Sequence, residues 1–319
     1  MSDVGIDAQA GQLPTQPQIA PALYLQLLRS ANYRWWRPLA GIAVFVGTYL
    51  NILLALFILP GVVYVTLSSN TQILQDAGSP LIFLLTNLSL ALLIPCAMFA
   101  VWAAHRVNPG ILASVTGRFR WGWFAKCFGL AVLLISATAV ISSLTDSGST
   151  PEHTASSTGT FITLSLIIVL TTPLQAAGEE FAFRGYLGQA IGAWVKFPIV
   201  SMIITSTAFA LAHGGQSAPL FLDRFGFGMV AAYLVLRTGG LEVSIALHTV
   251  NNLAALLTAA AFSDFSSQLV SPDAPWALIG FDVIELAIFV VIIEVMRSRG
   301  LKRGQLQTRG NPTATTKAT

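Results

Sequence analysis

Charge is the scarcest property of this chain. Asp, Glu, Lys and Arg make up 10% of its 319 residues, against roughly 25% in a soluble domain, which excludes an ordinary soluble fold. Cysteine is nearly absent. Cys96 and Cys127 fall in or beside apolar stretches, give no disulfide framework or metal-ligand spacing, and read as small apolar residues. The first 28 residues hold no Lys or Arg and include Asp3 and Asp7. The charged start and apolar core of a signal peptide are thus missing, and the first membrane span is expected to direct insertion. The net charge is +3, but the basic residues sit in short loops and the tail, as orientation signals do, and no nucleic-acid partner is expected. No internal repeat and no inverted pair of broken helices stands out.

Apolar residues are what the chain has in abundance, at 54%. They fall into stretches near the roughly 20 residues that a spanning helix needs. Spans are expected at about 40–65, 81–104, 124–144, 159–180, 198–213, 219–237, 242–262 and 275–297. With eight spans, every Lys and Arg except Arg224 falls on one side of the membrane, while Asp76, Asp146, Glu152, Asp264 and Asp273 fall on the other. The excess of positive charge marks the cytoplasmic side. The expected fold class is therefore all-α: a polytopic membrane helix bundle of about eight transmembrane helices in a lipid bilayer, with both termini cytoplasmic. The composition and charge pattern suit a bacterial plasma membrane.

Three parts are expected in order. Residues 1–38 form a cytoplasmic segment, Pro/Gln-rich and disordered to about 21, then suited to the interface through Arg29, Arg34, Trp35, Trp36 and Arg37. Residues 39–297 are the membrane domain. Residues 298–319 are a basic, Thr-rich tail read as disordered.

One stretch breaks the apolar pattern. In PLQAAGEEFAFRGYL, Glu179, Glu180 and Arg184 close a run that is otherwise uncharged back to Ala155. A charge inside a bilayer costs roughly 2.5–3.5 kcal/mol on insertion scales, so adjacent carboxylates there call for a use. On a helix Glu180 and Arg184 share a face, while Glu179 points about 100° away and is left the freer carboxylate, suited to act as a general base. An interfacial ion cluster is the plainer alternative.

Two histidines lie in apolar stretches, each with a partner at helical spacing. Phe209 and His213 are four apart, with Gly214 and Gly215 ending that helix; His248 and Asn252 are also four apart. A lone histidine could be satisfied by a carbonyl or water, but two of them with an asparagine and a carboxylate pair suggest a site. Seventeen residues separate Glu179 from Lys196, and seventeen separate Lys196 from His213, which puts Glu179 and His213 at similar depth in a hairpin. His248, about nine residues past the turn at Thr238–Gly240, is expected closer to the cytoplasmic face unless the helices tilt or the stretch 185–197 lies along the surface. A carboxylate and a histidine can deprotonate a water, and a histidine and an amide can donate to an oxyanion, which together suit amide hydrolysis. Zinc held by Glu179, His213 and His248 is the alternative, although the H-E-x-x-H helix is absent.

Taken together, EEFAFR from Glu179, FALAH from Phe209 and HTVNN from His248 resemble the CAAX protease and bacteriocin-processing family of intramembrane endopeptidases. That family includes the type II CAAX prenyl endopeptidases and proteins similar to lysostaphin resistance protein A. Its pattern is E-E-x-x-x-R, F-x-x-x-H and H-x-x-x-N or D on consecutive apolar segments, and this chain shows no departure. The resemblance implies a catalytic core at 158–262 in which Glu179 and His213 activate a water, His248 and Asn252 stabilise the oxyanion, and Glu180 and Arg184 support the site. It implies a membrane-associated peptide or protein substrate, with a prenylated C-terminus established for part of the family only. The glutamate mechanism is favoured over the zinc one. A proton-coupled transporter and a non-proteolytic binding or immunity protein are the other readings.

Further groups are given other accounts. Asp282 and Glu285 are expected to pair with Arg224 or to lie at a wet helix end, the alternative being a wall of the substrate entrance. Arg118, Arg120, Trp121 and Trp123 read as an interfacial anchor, Gly185, Gly188 and Gly192 as a close-packing face, and His105 and His153 as loop residues.

Overall fold

The computed structural model describes residues 21–30, 32–68, 78–145, 157–262, 265, 273 and 276–309. Eight long helices follow one another: α1 Arg37–Ser68, α2 Pro80–His105, α3 Trp121–Thr145, α4 Thr158–Gly192, α5 Pro198–Leu211, α6 Ala218–Thr238, α7 Glu242–Phe262 and α8 Trp276–Arg309. Short 3₁₀ turns at Pro21–Gln26 and Pro109–Leu112 complete the described residues, which contain no strand. The chain is an all-α, multi-pass membrane protein.

Six of the helices are long and apolar enough to cross a bilayer. Helix α5 has only 14 residues, and α8, 34 residues long, carries Asp282, Glu285 and Glu294. A 14-residue helix rises about 21 Å, less than the ~30 Å hydrocarbon core, so α5 stops inside the membrane. Helix α8 continues to Arg309, past residue 297 where a disordered tail is expected; 310–319, His153 and the expected disorder of 1–20 lie outside the described residues.

Helix α7 is the centre of the bundle. It packs against α3, α4 and α6, while α2 pairs with α4, α5 with α6, and α8 lies across α6 and α3. Gly178 makes the α2–α4 contact possible, because a Cβ there would overlap the Leu90 carbonyl. Gly239 adopts φ 72°, which lets the chain end α6 and turn directly into α7. Helix α1 instead packs chiefly on α2 and buries Pro38, Gly41 and Phe45 in its first half and nothing between Leu54 and Ser68.

Several residues read as interfacial or as loop are packed. Tyr24, Leu25 and Leu28 are buried, and Leu25 fills the space left by Gly188 and Gly192 on α4. The Tyr24 hydroxyl donates to the Leu112 carbonyl, and burial raises its pKa. Arg120 is no surface anchor: its guanidinium makes a double contact with the buried Glu242 carboxylate, at 2.8 and 2.7 Å, and donates to the Thr238 carbonyl at 3.0 Å. His105 is the last residue of α2, buried, with Nε2 3.5 Å from the Tyr186 hydroxyl.

Candidate active site

Helix α4 supplies the carboxylates and then changes its winding. Regular α-helix ends at Glu180, and Phe181–Leu187 forms a π-helical segment before the α-helix resumes at Gly188. Such segments are rare and frequent at functional sites, because the added residue re-aims the side chains around it. Here Glu180, Arg184 and Tyr186 are all buried.

Glu180 and Arg184 form an ion pair, with Nη1 to Oε1 at 2.9 Å. The guanidinium lies over the Phe209 ring, 4.1 Å from its centre. A cation against a desolvated ring face gains from the ring quadrupole, which offsets part of the cost of burying it. Arg184 is 1% exposed and Glu180 0%, so neither charge reaches solvent.

His248 joins the two carboxylates. Its Nδ1 is 3.0 Å from Glu180 Oε1, and its Nε2 is 3.5 Å from Glu179 Oε2. Because a carboxylate accepts, the Nδ1 hydrogen is donated to Glu180, and Nε2 is left facing Glu179. The imidazole is wedged edge-on between Phe209 and Phe227, with ring centres 5.8 and 5.1 Å away. Its depth departs from the expectation based on loop position. The reason is that α7 does not begin at the membrane surface: Leu241 and Glu242 are fully buried beneath the loop that carries Arg120, so a residue two turns into α7 is already beside the glutamates.

Glu179 is the less engaged carboxylate. Oε2 is buried and has no hydrogen-bond partner among the described residues. A buried acceptor left without a donor costs about 1–3 kcal/mol, and such groups concentrate where function needs them.

His213 and Asn252 complete the set on the walls of a cavity. It encloses about 350 Å³ and is lined by both histidines, Asn252, Phe209 and Phe227. His213 lies just beyond α5, where Gly214 takes φ 82°, and its Nδ1 is 2.8 Å from the Phe209 carbonyl. That contact fixes Nδ1 as a donor and leaves Nε2 free to accept. No direct contact joins His213 to Glu179, though the two lie within electrostatic range. Asn252 donates to Gln175 Oε1 at 3.1 Å. Gln175, one helical turn before Glu179, carries no mark in the sequence; only the tertiary contact reveals it.

The remaining wall is charged. Asp223, Arg224, Asp282 and Glu285 line the cavity, with Arg224 donating to Gln216. Asp282 and Glu285 thus form the cavity wall, and no salt bridge joins either to Arg224 among the described residues.

Among the described residues no three His, Cys, Asp or Glu side chains converge to hold an ion. Both His248 nitrogens face carboxylates, and His213 Nδ1 is turned to a backbone carbonyl.

Comparison with known proteins bears on the same segment. Residues 160–254 match the family model of the Rce1-like type II CAAX prenyl endopeptidases. That interval contains all six residues singled out from the sequence. The uncharacterized protein YyaK of Bacillus subtilis (strain 168) is 29% identical over 240 residues, covering 70% of this chain and 77% of YyaK. No solved structure matches. At the level of the family, the match supports a CAAX-type intramembrane protease acting on membrane-associated peptides.

Proposed function

We propose, from the premise that a chain matching the Rce1-like endopeptidases over 160–254 works as they do, that this protein is an intramembrane endopeptidase using a glutamate-activated water. The observation that carries the reading is the ring of His248 set between Glu180 and Glu179, 3.0 and 3.5 Å away, beside an unpartnered carboxylate oxygen.

Glu179 takes a proton from a water in the cavity as the hydroxide adds to the scissile carbonyl, and that proton passes to the leaving amine as the C–N bond breaks. His213 Nε2 holds the water from the other side. Asn252 has a second amide hydrogen beyond the one given to Gln175, and it donates to the oxyanion. His248, its Nδ1 tied to Glu180, stands beside the reacting atoms with Nε2 toward Glu179. Glu180 and Arg184 orient His248 and do not touch substrate.

The test is cleavage of a quenched fluorescent peptide library, including farnesylated C-terminal CAAX peptides, by detergent-purified protein. Glu179→Gln keeps the shape but not the base and is expected to lose about 10²–10⁴-fold in kcat/KM. Full activity in that variant would sink the mechanism. Activity removed by a chelator and restored by zinc would replace it with metal-dependent hydrolysis. Folded wild-type protein that cleaves nothing would favour a binding or immunity role, and solute flux in liposomes a transporter.

A further inference from the structure

Helix α7 changes character along its length. Every residue from Glu242 to Val250 is buried, whereas Asn251 and Ala255 are exposed and line the cavity. His248 therefore stands at a boundary, with packed protein on one side of it and open space on the other.

The packed side is closed by the loop between α2 and α3. Val115 N–H donates to the Gly239 carbonyl at 2.8 Å, and Leu241 N–H donates to the Ala113 carbonyl at 2.9 Å. The backbone N–H of Arg120 adds a bond to Glu242 at 2.8 Å, alongside its guanidinium. These contacts join the turn between α6 and α7 to the loop and pack that loop over the start of α7.

The open side runs toward the other ends of the helices. Asp223 lies five residues from Ala218 and fifteen from Thr238; Asp282 lies six from Trp276 and fifteen from Arg297. At a rise of 1.5 Å per residue, Asp223 is about 8 Å from the start of α6 and about 22 Å from its end, and Asp282 is about 9 Å from the start of α8 and about 40 Å from its end at Arg309. Among the described residues, Arg224 beside Asp223 is the basic residue near these ends. With eight spans, the loops holding Arg34, Arg106, Arg118, Arg120, Lys196, Arg237 and Arg297 belong to the far side, while Arg184 lies in the site itself. Ionisable groups on membrane helices face the bundle interior or a water-filled cavity, and the exposed Asn251, Ala255 and His213 beside them make this a wet one.

We propose that the catalytic centre is closed toward the basic, cytoplasmic face and is reached by water and substrate from the opposite face of the membrane. The substrate is then a peptide segment exposed on the extracytoplasmic side, not a prenylated C-terminus presented in the cytoplasm. This substrate class rests on the endopeptidase reading; the direction of access does not.

Cysteine labelling of the full chain in membranes tests it. In a background with the two buried native cysteines replaced, Cys96→Ala and Cys127→Ala, single variants Ala255→Cys at the cavity and Arg34→Cys on the basic face are exposed to a membrane-impermeant maleimide. Right-side-out spheroplasts and inverted vesicles from a bacterial host are compared. Ala255→Cys is expected to react in spheroplasts and not in inverted vesicles, and Arg34→Cys the reverse. Reaction of both from one side overturns the proposal, as does reaction of Ala255→Cys only in inverted vesicles. Protection of Ala255→Cys in both preparations, with reaction once solubilised in detergent, also overturns it. Thr258→Cys, one turn further along α7, gives the same reading should the first variant not fold. Labelling reports access whether or not any peptide is cut, so a failure of the endopeptidase reading would leave this result standing.

Discussion

Helices α1 and α4 are of similar length and both pass as membrane spans, yet they are built on opposite plans. The most apolar window of α1 has a hydropathy of 2.5 with 6% of it buried; that of α4 has 1.7 with 39% buried. In water the more apolar helix would be the inner one. Here the order is reversed, because lipid is as apolar as leucine and gives apolar side chains no reason to turn inward. What does turn inward is whatever lipid cannot satisfy: Glu179, Glu180, Arg184, Gln175 and the threonines that Asn87 contacts on α4. The polar groups are therefore gathered inside, among apolar packing, and the second half of α1 is an outer wall.

Substitutions can break that contrast at graded cost. The largest effect is expected from Arg184→Met, which leaves the fully buried Glu180 without its cation. Losing one partner of a buried pair costs about 3–5 kcal/mol, read as a large drop in thermal midpoint in detergent. Adding Glu180→Gln to that variant should recover part of the loss; no recovery would mean the pair is not coupled. Gly178→Ala comes next, because its methyl meets the Leu90 carbonyl and α2 must move away from α4. A loss of about 1–3 kcal/mol is expected, as for overpacking elsewhere. Arg120→Ala strips the buried Glu242 of its partner, but Arg120 is 27% exposed and water can follow it in. The expected loss is about 1–2 kcal/mol, below that of a fully buried pair. Leu56→Ala, on the unburied part of α1, should stay within about 0.5 kcal/mol of wild type. A loss there as large as that at Gly178 would show that α1 has a protein partner and would end the contrast.

The same reversal explains what was legible in the sequence. Apolar length revealed the helices, and intrahelical spacing revealed the Glu180–Arg184 pair, since residues four apart share a face whatever surrounds them. Contacts between helices were another matter. Nothing in HTVNN says that His248 meets both glutamates, because its depth depends on how far the turn at Gly239 is tucked beneath the loop. Gln175 was invisible for the same reason, and the π-helical segment after Glu180 leaves no trace in FAFRGYL. Arg120 reads as an interface anchor because a basic residue among tryptophans has that composition, and only its carboxylate partner, 122 positions away, distinguishes the two.

That partnership has a bearing on the order of events at the ribosome. Arg120 leaves the exit tunnel long before Glu242, and no hydrogen-bonded floor exists under the site until α7 has entered the membrane. His248 arrives six residues after Glu242, on the same helix. The first four helices can therefore wait in the bilayer with their carboxylates in place, and one insertion event supplies the missing histidine and closes the Arg120 end of the site together.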